Sequence, residues 1–309
     1  MLYESGELEQ RLIRAADLLS SCTLCPRRCA VNRHNGETGV CGTADQAVVA
    51  SYNPHFGEEA PLVGNTGSGT IFFAGCSLKC CFCQNYDISH HASDGVAVDP
   101  VRLAAIMLDL QQRGCCNINF VTPTHVVPQI IAALPLAYEN GLKLPLVYNS
   151  SGYETIETLG LLDGIIDIYM PDIKFWANTS AQTYADAADY PGIVRQAVKE
   201  MHGQVGDLET DTGGIATRGL LVRHLLMPGG IDETEQILGF IAAEISKSTY
   251  VNIMDQYRPC GNALQHEELR QTIEPGHNER AIALAKQAGL TRLDDRDIRS
   301  LLKRLGFSL

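Results

Sequence analysis

The chain carries no excess of positive charge: its 309 residues hold 24 Lys and Arg against 36 Asp and Glu, a net charge of −12. A chain this acidic repels a nucleic-acid backbone and an anionic membrane surface, so neither is an expected partner, and any phosphate contact has to be local. Long apolar runs are missing as well. The longest, Ile237 to Ile245, is broken by Glu244 and falls short of a membrane span. Glu4, Glu7, Glu9, Arg11 and Arg14 crowd the first residues, which leaves no room there for the apolar stretch of a signal peptide, and a cytoplasmic location is expected. There is no low-complexity tract and no internal repeat. With hydrophobic residues at 45% and charged ones at 19%, the composition is that of a folded chain rather than a disordered one.

What is plentiful is cysteine, at eleven residues. A reducing compartment does not preserve a disulfide framework, so these thiols point to metal binding or catalysis. Cys76, Cys80 and Cys83 form C-x3-C-x2-C, with Phe82 just before the third cysteine. Three thiolates in one short loop can ligate three irons of a 4Fe-4S cubane and leave the fourth iron open to chemistry. Such an iron can chelate the amino and carboxylate groups of S-adenosylmethionine, so that an electron from the cluster breaks the sulfonium bond and yields a 5′-deoxyadenosyl radical. Adjacent Cys81 cannot easily reach a second iron of the same cubane and reads as a packing or spare thiol. Cys22, Cys25, Cys29 and Cys41 form a second set, C-x2-C-x3-C-x11-C, with Pro26, Gly36, Gly39 and Gly42 supplying turns. Four soft ligands suit tetrahedral zinc or a fully ligated auxiliary iron-sulfur cluster equally well.

Leu8, Leu12, Ala15 and Leu19 recur at helical spacing before this cysteine-rich segment. From Thr70 onward, short apolar runs alternate with amphipathic stretches. Thr70–Ala74, Asn117–Val121, Pro145–Asn149, Ile165–Tyr169, Leu220–Met227 and Tyr250–Met254 read as six buried parallel strands. Between the first two, Asp99 can cap a helix that starts at Pro100 and lines one face with Leu103, Met107 and Leu110. Six strand-helix units predict an α/β fold, an open, partial (β/α)6 barrel of the TIM type, with chemistry at the C-terminal ends of its strands. Asn178 to Ala216 reads as a partly helical insert, and Ile298, Leu301, Leu302 and Leu305 as a closing amphipathic helix. The expected organisation is a helix and cysteine-rich metal-binding module over residues 1–66, a barrel core over 67–262 and a helical extension over 263–309.

On these residues the chain resembles the radical S-adenosylmethionine superfamily, and within it the activating enzymes of pyruvate formate-lyase and their uncharacterised relatives, over roughly Ser21 to Pro259. The resemblance implies an oxidoreductase with the partial barrel of that superfamily, its 4Fe-4S cluster on Cys76, Cys80 and Cys83 after the first strand, and a flavodoxin or ferredoxin as electron donor. Met170-Pro-Asp172-Ile-Lys174 is similar to the family's Asp-Leu-Lys segment, which makes Asp172 and Lys174 contacts of the cosubstrate's methionine end. Tyr148-Asn149-Ser150-Ser151-Gly152 stands where the family has Asp-Thr-Asn-Gly around the cosubstrate carboxylate and a monovalent cation; Asn149 in place of the aspartate weakens the cation site, and Ser151 joins Asn149 as a cosubstrate contact. Leu221 to Pro228 is similar to the family's Arg-Tyr-Val-Val-Val-Pro strand, where Arg223 either faces the cosubstrate or pairs as a barrel ion pair. The family's Gly-Gly-Glu is absent, and Val121-Thr122-Pro123-Thr124-His125 stands in its place, so Thr122 and neighbouring backbone are left to hold the cosubstrate's amino end. Phe82 matches the family's adenine-contacting aromatic, with Asn85 and Tyr86 nearby.

Several features stay open. His125 binds substrate or caps the next helix. His55-Phe56-Gly57-Glu58-Glu59 reaches the mouth of the site or forms a solvated face, and Asp255 to Arg258 contacts substrate or makes structural hydrogen bonds. Gly64 to Gly69 reads as a turn, and Cys115, Cys116 and Cys260 as core thiols. Two functions follow from the resemblance: hydrogen abstraction from a glycine on a partner glycyl-radical protein, or radical modification of a small molecule or peptide. A non-catalytic electron carrier is disfavoured because carriers use four cysteines per cubane.

Overall fold

The structure, a computed structural model, describes residues 6–294. The closing helix expected around Ile298 to Leu305 lies outside these residues. In chain order the strands are β1 (Ala47–His55), β2 (Ser68–Phe73), β3 (Val96–Val98), β4 (Ile118–Val121), β5 (Leu146–Ser150), β6 (Ile168–Pro171), β7 (Glu209–Thr210), β8 (Ala216–Leu225), β9 (Tyr250–Met254) and β10 (Arg292–Leu293). The helices are α1 (Glu7–Ser20), α2 (Ala60–Val63), α3 (Tyr86–His90), α4 (Pro100–Gln112), α5 (Val127–Glu139), α6 (Ile156–Leu162), α7 (Asn178–Ala185), α8 (Tyr190–Val205), α9 (Ile231–Phe240) and α10 (His277–Ala288).

One mixed sheet forms the centre, in the order β3-β1-β2-β4-β5-β6-β8-β9-β10, with β7 added to β8. The six expected strands are all there as β2, β4, β5, β6, β8 and β9, and each pairs in parallel with the next. Their helices cross over between them, as right-handed strand-helix-strand units require. α4 starts as its sequence dictates: Asp99 Oδ1 accepts from the Arg102 amide at 2.7 Å, Pro100 occupies the first turn, and Leu103, Met107 and Leu110 are buried.

Three features depart from the sequence reading. β6 begins three residues late, because Ile165 and Ile166 donate their amides to the Leu162 carbonyl and so close the turn after α6. Asn178 to Ala216 is no insert: α8 is the crossover between β6 and β8, with Tyr190, Val194, Ala197, Val198 and Met201 buried. β1 extends the sheet antiparallel to β2, with β3 on its other side, and its Pro54 opposite Gly69 hides its strand character in the sequence.

The period of two along the strands sorts the sheet's faces. Ile71, Phe73, Phe120, Tyr148, Tyr169, Leu220 and Val222 point into the large core under the helices. On the opposite face Val147, Ile168, Met170 and Leu221 pack around Leu62 of α2, which plugs that face with apolar contacts. Two residues further along the same strands the inward side chains turn polar: Asn149 after Val147, Asp172 after Met170, Arg223 after Leu221. This alternation builds a dry floor and a charged cavity above it.

Candidate active site

The cavity has a volume of about 350 Å³ and lies at the C-terminal ends of the parallel strands. Cys76, Cys80, Cys83, Phe82, Thr122, Asn149, Ser151, Asp172, Lys174 and Arg223 all line it, so ten residues scattered over about half of the sequence converge on one space.

The cysteine loop leaves β2 through Gly75, whose φ of +85° and tight surroundings require glycine: a Cβ there would stand 2.5 Å from the Cys41 carbonyl oxygen. Lys79 also takes a left-handed conformation, at φ +52°, which curls Cys76 to Cys80 back on itself. The Cys76 Sγ accepts from the Leu78 amide at 3.4 Å, and the Cys83 Sγ from the Ser89 hydroxyl at 3.3 Å. Burial pushes the thiols of Cys76 and Cys80 up, with their neighbouring sulfurs adding to the effect and the Lys174 ammonium opposing it. Thiolates crowded into such a place need a cation between them. A cubane fits this donor set, because it presents separate irons to separate thiolates. As the side chains stand, no three Cys, His, Asp or Glu among the described residues close around a single ion.

The opposite wall is a buried ion network. Arg223 donates Nε to Asp172 Oδ1 at 2.7 Å and Nη2 to Asn149 Oδ1 at 2.6 Å, and its Nη1 lies 3.5 Å from Glu58 Oε2. Lys174 Nζ holds the other Asp172 oxygen at 2.5 Å. Burial alone would raise the Asp172 carboxyl, but the two cations outweigh it and hold the group below the usual carboxylate range. Burial likewise opposes the charged forms of Lys174 and Arg223, and Asp172 more than offsets it. Arg223 therefore makes the ion pair and faces the cavity at once. Asn149 is held by Arg223, and Thr122, at a strained φ of +59°, donates its amide to the Asn149 carbonyl.

Phe82 is 4% exposed, and its ring packs edge-on against Phe175 and Tyr184 and beside Tyr257. Asn85 lines the cavity, whereas Tyr86 stacks on His90 at 3.9 Å. Gln256 lines it too, while Tyr257 donates its hydroxyl to the Leu269 carbonyl. The acids after β1 are not a solvated face: Glu58 lines the cavity, and Glu59, fully buried, accepts from Asn252 at 2.5 Å. His55, half-buried on the same stretch, also reaches the cavity. His125 has no place there. It is 1% exposed, its Nε2 hydrogen-bonds the Ala74 carbonyl at 2.8 Å, and burial lowers its pKa to about 4, so it is a neutral prop behind the cysteine loop. Of the three expected core thiols Cys115 is buried, but Cys116 and Cys260 are only partly so.

The other four cysteines also come together. Cys22, Cys25, Cys29 and Cys41 line a second, small cavity of about 10 Å³. Burial pushes the Cys25 thiol up to about 12, reinforced by the other three sulfurs.

A curated relative matches over nearly the whole chain: the uncharacterized protein MJ0674 of Methanocaldococcus jannaschii is 32% identical over 297 residues, covering 93% of this chain and 81% of the relative. The chain belongs to the MJ0674 family. No family profile matches it. Among solved structures it is similar to native anSMEcpe with bound AdoMet, at TM-score 0.47 and 10% identity over 69% of this chain, and to native anSMEcpe with bound AdoMet and Kp18Cys peptide, at TM-score 0.49 and 9% identity over 71%. The chain spans 57% and 60% of the lengths of those two structures. Likeness of this degree carries no shared activity or substrate.

This member of the MJ0674 family holds one buried acid that its sequence does not advertise. Glu154, 2% exposed, accepts from the Thr124 hydroxyl at 2.7 Å and the Tyr148 hydroxyl at 3.1 Å. Burial raises its pKa to about 7, although the hydroxyls around it pull the other way. The folded state thus holds this proton more tightly than the unfolded chain does, and stability falls as pH rises from about 4.5 to about 7, by about 3 kcal/mol in total. Glu154→Gln carries no such charge and is expected to flatten that slope; thermal melts at pH 5 and pH 8 measure it. A variant that destabilises equally at both pH values would show that the carboxyl is already ionised in the fold.

Proposed function

We propose that this protein is a radical S-adenosylmethionine enzyme whose cysteine loop and ion network together hold cluster and cosubstrate in the one cavity. The observation that supports the reading is the convergence itself: a three-cysteine loop faces Asn149, Asp172, Lys174 and Arg223 across a cavity at the C-terminal ends of six parallel strands. When bound, a 4Fe-4S cluster supplies the electron that splits S-adenosylmethionine into methionine and a hydrogen-abstracting 5′-deoxyadenosyl radical.

The chain's own contribution is positional and electrostatic. Cys76, Cys80 and Cys83 ligate three irons. Lys174 and Arg223 offer cationic N–H groups to the carboxylate of the cosubstrate, held at fixed angles by Asp172, and Asn149 and Ser151 offer neutral polar groups beside them. Thr122 and the backbone it positions stand where the amino end is to be held. The plug at Leu62 and the aromatic wall at Phe82 keep water from reaching the cavity from below and behind.

The resemblance to activating enzymes supports a glycine of a partner protein as the hydrogen donor, with a flavodoxin or ferredoxin as electron source. None of residues 178–216 lines the cavity, so that segment gives no separate support to a small-molecule or peptide pocket. The four amino-terminal cysteines are the second metal site, zinc or an auxiliary cluster. The test is anaerobic: protein reconstituted with iron and sulfide, reduced with dithionite and given S-adenosylmethionine is expected to release 5′-deoxyadenosine and methionine. A loaded, reduced cluster that leaves the cosubstrate intact overturns the reading.

A further inference from the structure

The two cysteine sets are separate in the sequence and adjacent in space, and two arginines lie between them. Arg33 is 1% exposed, and among the described residues it makes no ion pair. Its Nε donates to the Ala44 carbonyl at 2.7 Å and its Nη1 to the His125 carbonyl at 2.8 Å, but its Nη2, equally buried, has no hydrogen-bond partner. This guanidinium lines the small cavity together with Cys22, Cys25, Cys29 and Cys41. A buried cation with an idle donor is costly unless an anion stands beside it. Neutral thiols do not supply that anion. Four thiolates around a divalent metal, or around an oxidised 4Fe-4S cube, carry a net charge of about −2 and do supply it. Binding the metal displaces the thiol protons to solvent, which couples the site to folding.

Arg27 sits inside the same motif, between Cys25 and Cys29, and reaches the other way. Its Nε donates to the Ser77 carbonyl at 2.9 Å and its Nη2 to those of Leu78 at 3.2 Å and Ala185 at 2.8 Å, while its Nη1 donates to the Asp186 carbonyl. The guanidinium carbon lies 5.6 Å from the ring centroid of Tyr153. Ser77 and Leu78 are two of the three residues between Cys76 and Cys80, so one planar fork holds the backbone of the three-cysteine loop at its turn. A second strut runs from Arg33 through the His125 carbonyl and ring to Ala74, two residues before Cys76.

We propose that Cys22, Cys25, Cys29 and Cys41, which line one cavity without closing around an ion as they stand, draw together on a tetrathiolate metal centre whose charge Arg33 balances, and that this centre braces the Cys76–Cys83 loop through Arg27, a positioning residue. The inference rests on the proposed function for the second metal site and for the use to which the braced loop is put, and adds the roles of Arg33 and Arg27.

The first measurement counts zinc and iron in anaerobically purified triple variant Cys76→Ala/Cys80→Ala/Cys83→Ala, which can carry no radical cluster. About one zinc per chain identifies a zinc centre and about four irons an auxiliary cluster, and either supports the proposal. A metal-free triple variant, after incubation with zinc and separately with iron and sulfide, overturns it together with the second metal site, and leaves standing the radical chemistry of the Cys76–Cys83 loop, which release of 5′-deoxyadenosine tests separately. In that background Arg33→Met is expected to weaken metal retention against a chelator about 10- to 100-fold; unchanged retention removes the role given to Arg33.

The second measurement follows deuterium uptake over residues 76–84 in otherwise unaltered protein. Arg27→Ala is expected to speed exchange there at least about tenfold and to broaden the electron paramagnetic resonance signal of the reconstituted, reduced loop cluster, with the amino-terminal metal retained. Arg27→Lys should recover only part, because one ammonium cannot serve carbonyls on two segments. Arg28→Ala, an exposed neighbour 3.7 Å from Glu157, should match the unaltered protein. Wild-type exchange and an unaltered signal in folded Arg27→Ala, or in Arg27→Lys where the alanine variant fails to fold, overturn the brace.

Discussion

Cys83→Ala is expected to abolish the release of 5′-deoxyadenosine altogether, to below the detection limit of a chromatographic assay, while the protein stays folded. The side chain is partly exposed to the cavity and contributes no core packing comparable to Phe82 or Leu78, so its removal costs little stability. What it removes is one of the three proposed iron ligands, and a cubane held by two thiolates would be lost or rearranged on reconstitution. The same outcome is expected for Cys76→Ala and Cys80→Ala, with a larger loss of stability at Cys80, which is 6% exposed. Iron bound by the cavity loop should fall with the activity, whereas metal on the amino-terminal cysteines should remain. Full cleavage activity in Cys83→Ala would show that the loop does not carry the cluster.

Arg223→Met carries the other large effect, this time on both stability and cosubstrate affinity. The guanidinium neutralises Asp172 and stands beside Glu58 in a cavity wall where the three side chains are 15%, 13% and 9% exposed. Removing it leaves two carboxylates with one ammonium, Lys174, and breaking such a pair costs about 3 to 5 kcal/mol. It also frees Asn149 and removes the cation proposed to meet the cosubstrate carboxylate, so the KM for S-adenosylmethionine should rise about 10- to 100-fold. Arg223→Lys should recover part of the stability but not the simultaneous hold on Asp172 and Asn149, because an ammonium has no fork. The double variant Arg223→Met/Asp172→Asn should be more stable than Arg223→Met alone, since it restores the balance of one cation, Lys174, against one carboxylate, Glu58, in the cavity wall. Additive losses in that double variant would show that the pair is not coupled. The pH dependence follows from the directions of the shifts. Asp172, held low, contributes stability above its ordinary range that is lost only as pH falls through its depressed value; Lys174, held high, contributes stability that is lost only in strong alkali.

The amino-acid sequence by itself determined the six parallel strands, the capped start of α4 and the grouping of cysteines into two sets. Hydrophobic runs, an Asp-Pro helix start and ligand spacing are local signals, and local signals survive without coordinates. It also marked Asp172, Lys174, Asn149 and Arg223, although only through resemblance. Tertiary structure alone decided which side of each strand those residues occupy and that they meet. It decided between the two readings left open for Glu58 and Glu59, which are buried partners of Arg223 and Asn252 rather than a solvated face, because those partners lie on β8 and β9, far away in the sequence. It moved His125 out of the site, since a histidine three residues past a cavity-lining position, Thr122, can turn its ring to a carbonyl elsewhere. The buried acid at Glu154 was likewise invisible: three hydroxyl-bearing neighbours from two different strand ends raise no pattern in the chain. The embrace of one cysteine set by the other is of the same kind, because Arg27 and Ser77 are fifty residues apart and only packing brings a guanidinium to a carbonyl over that distance in sequence.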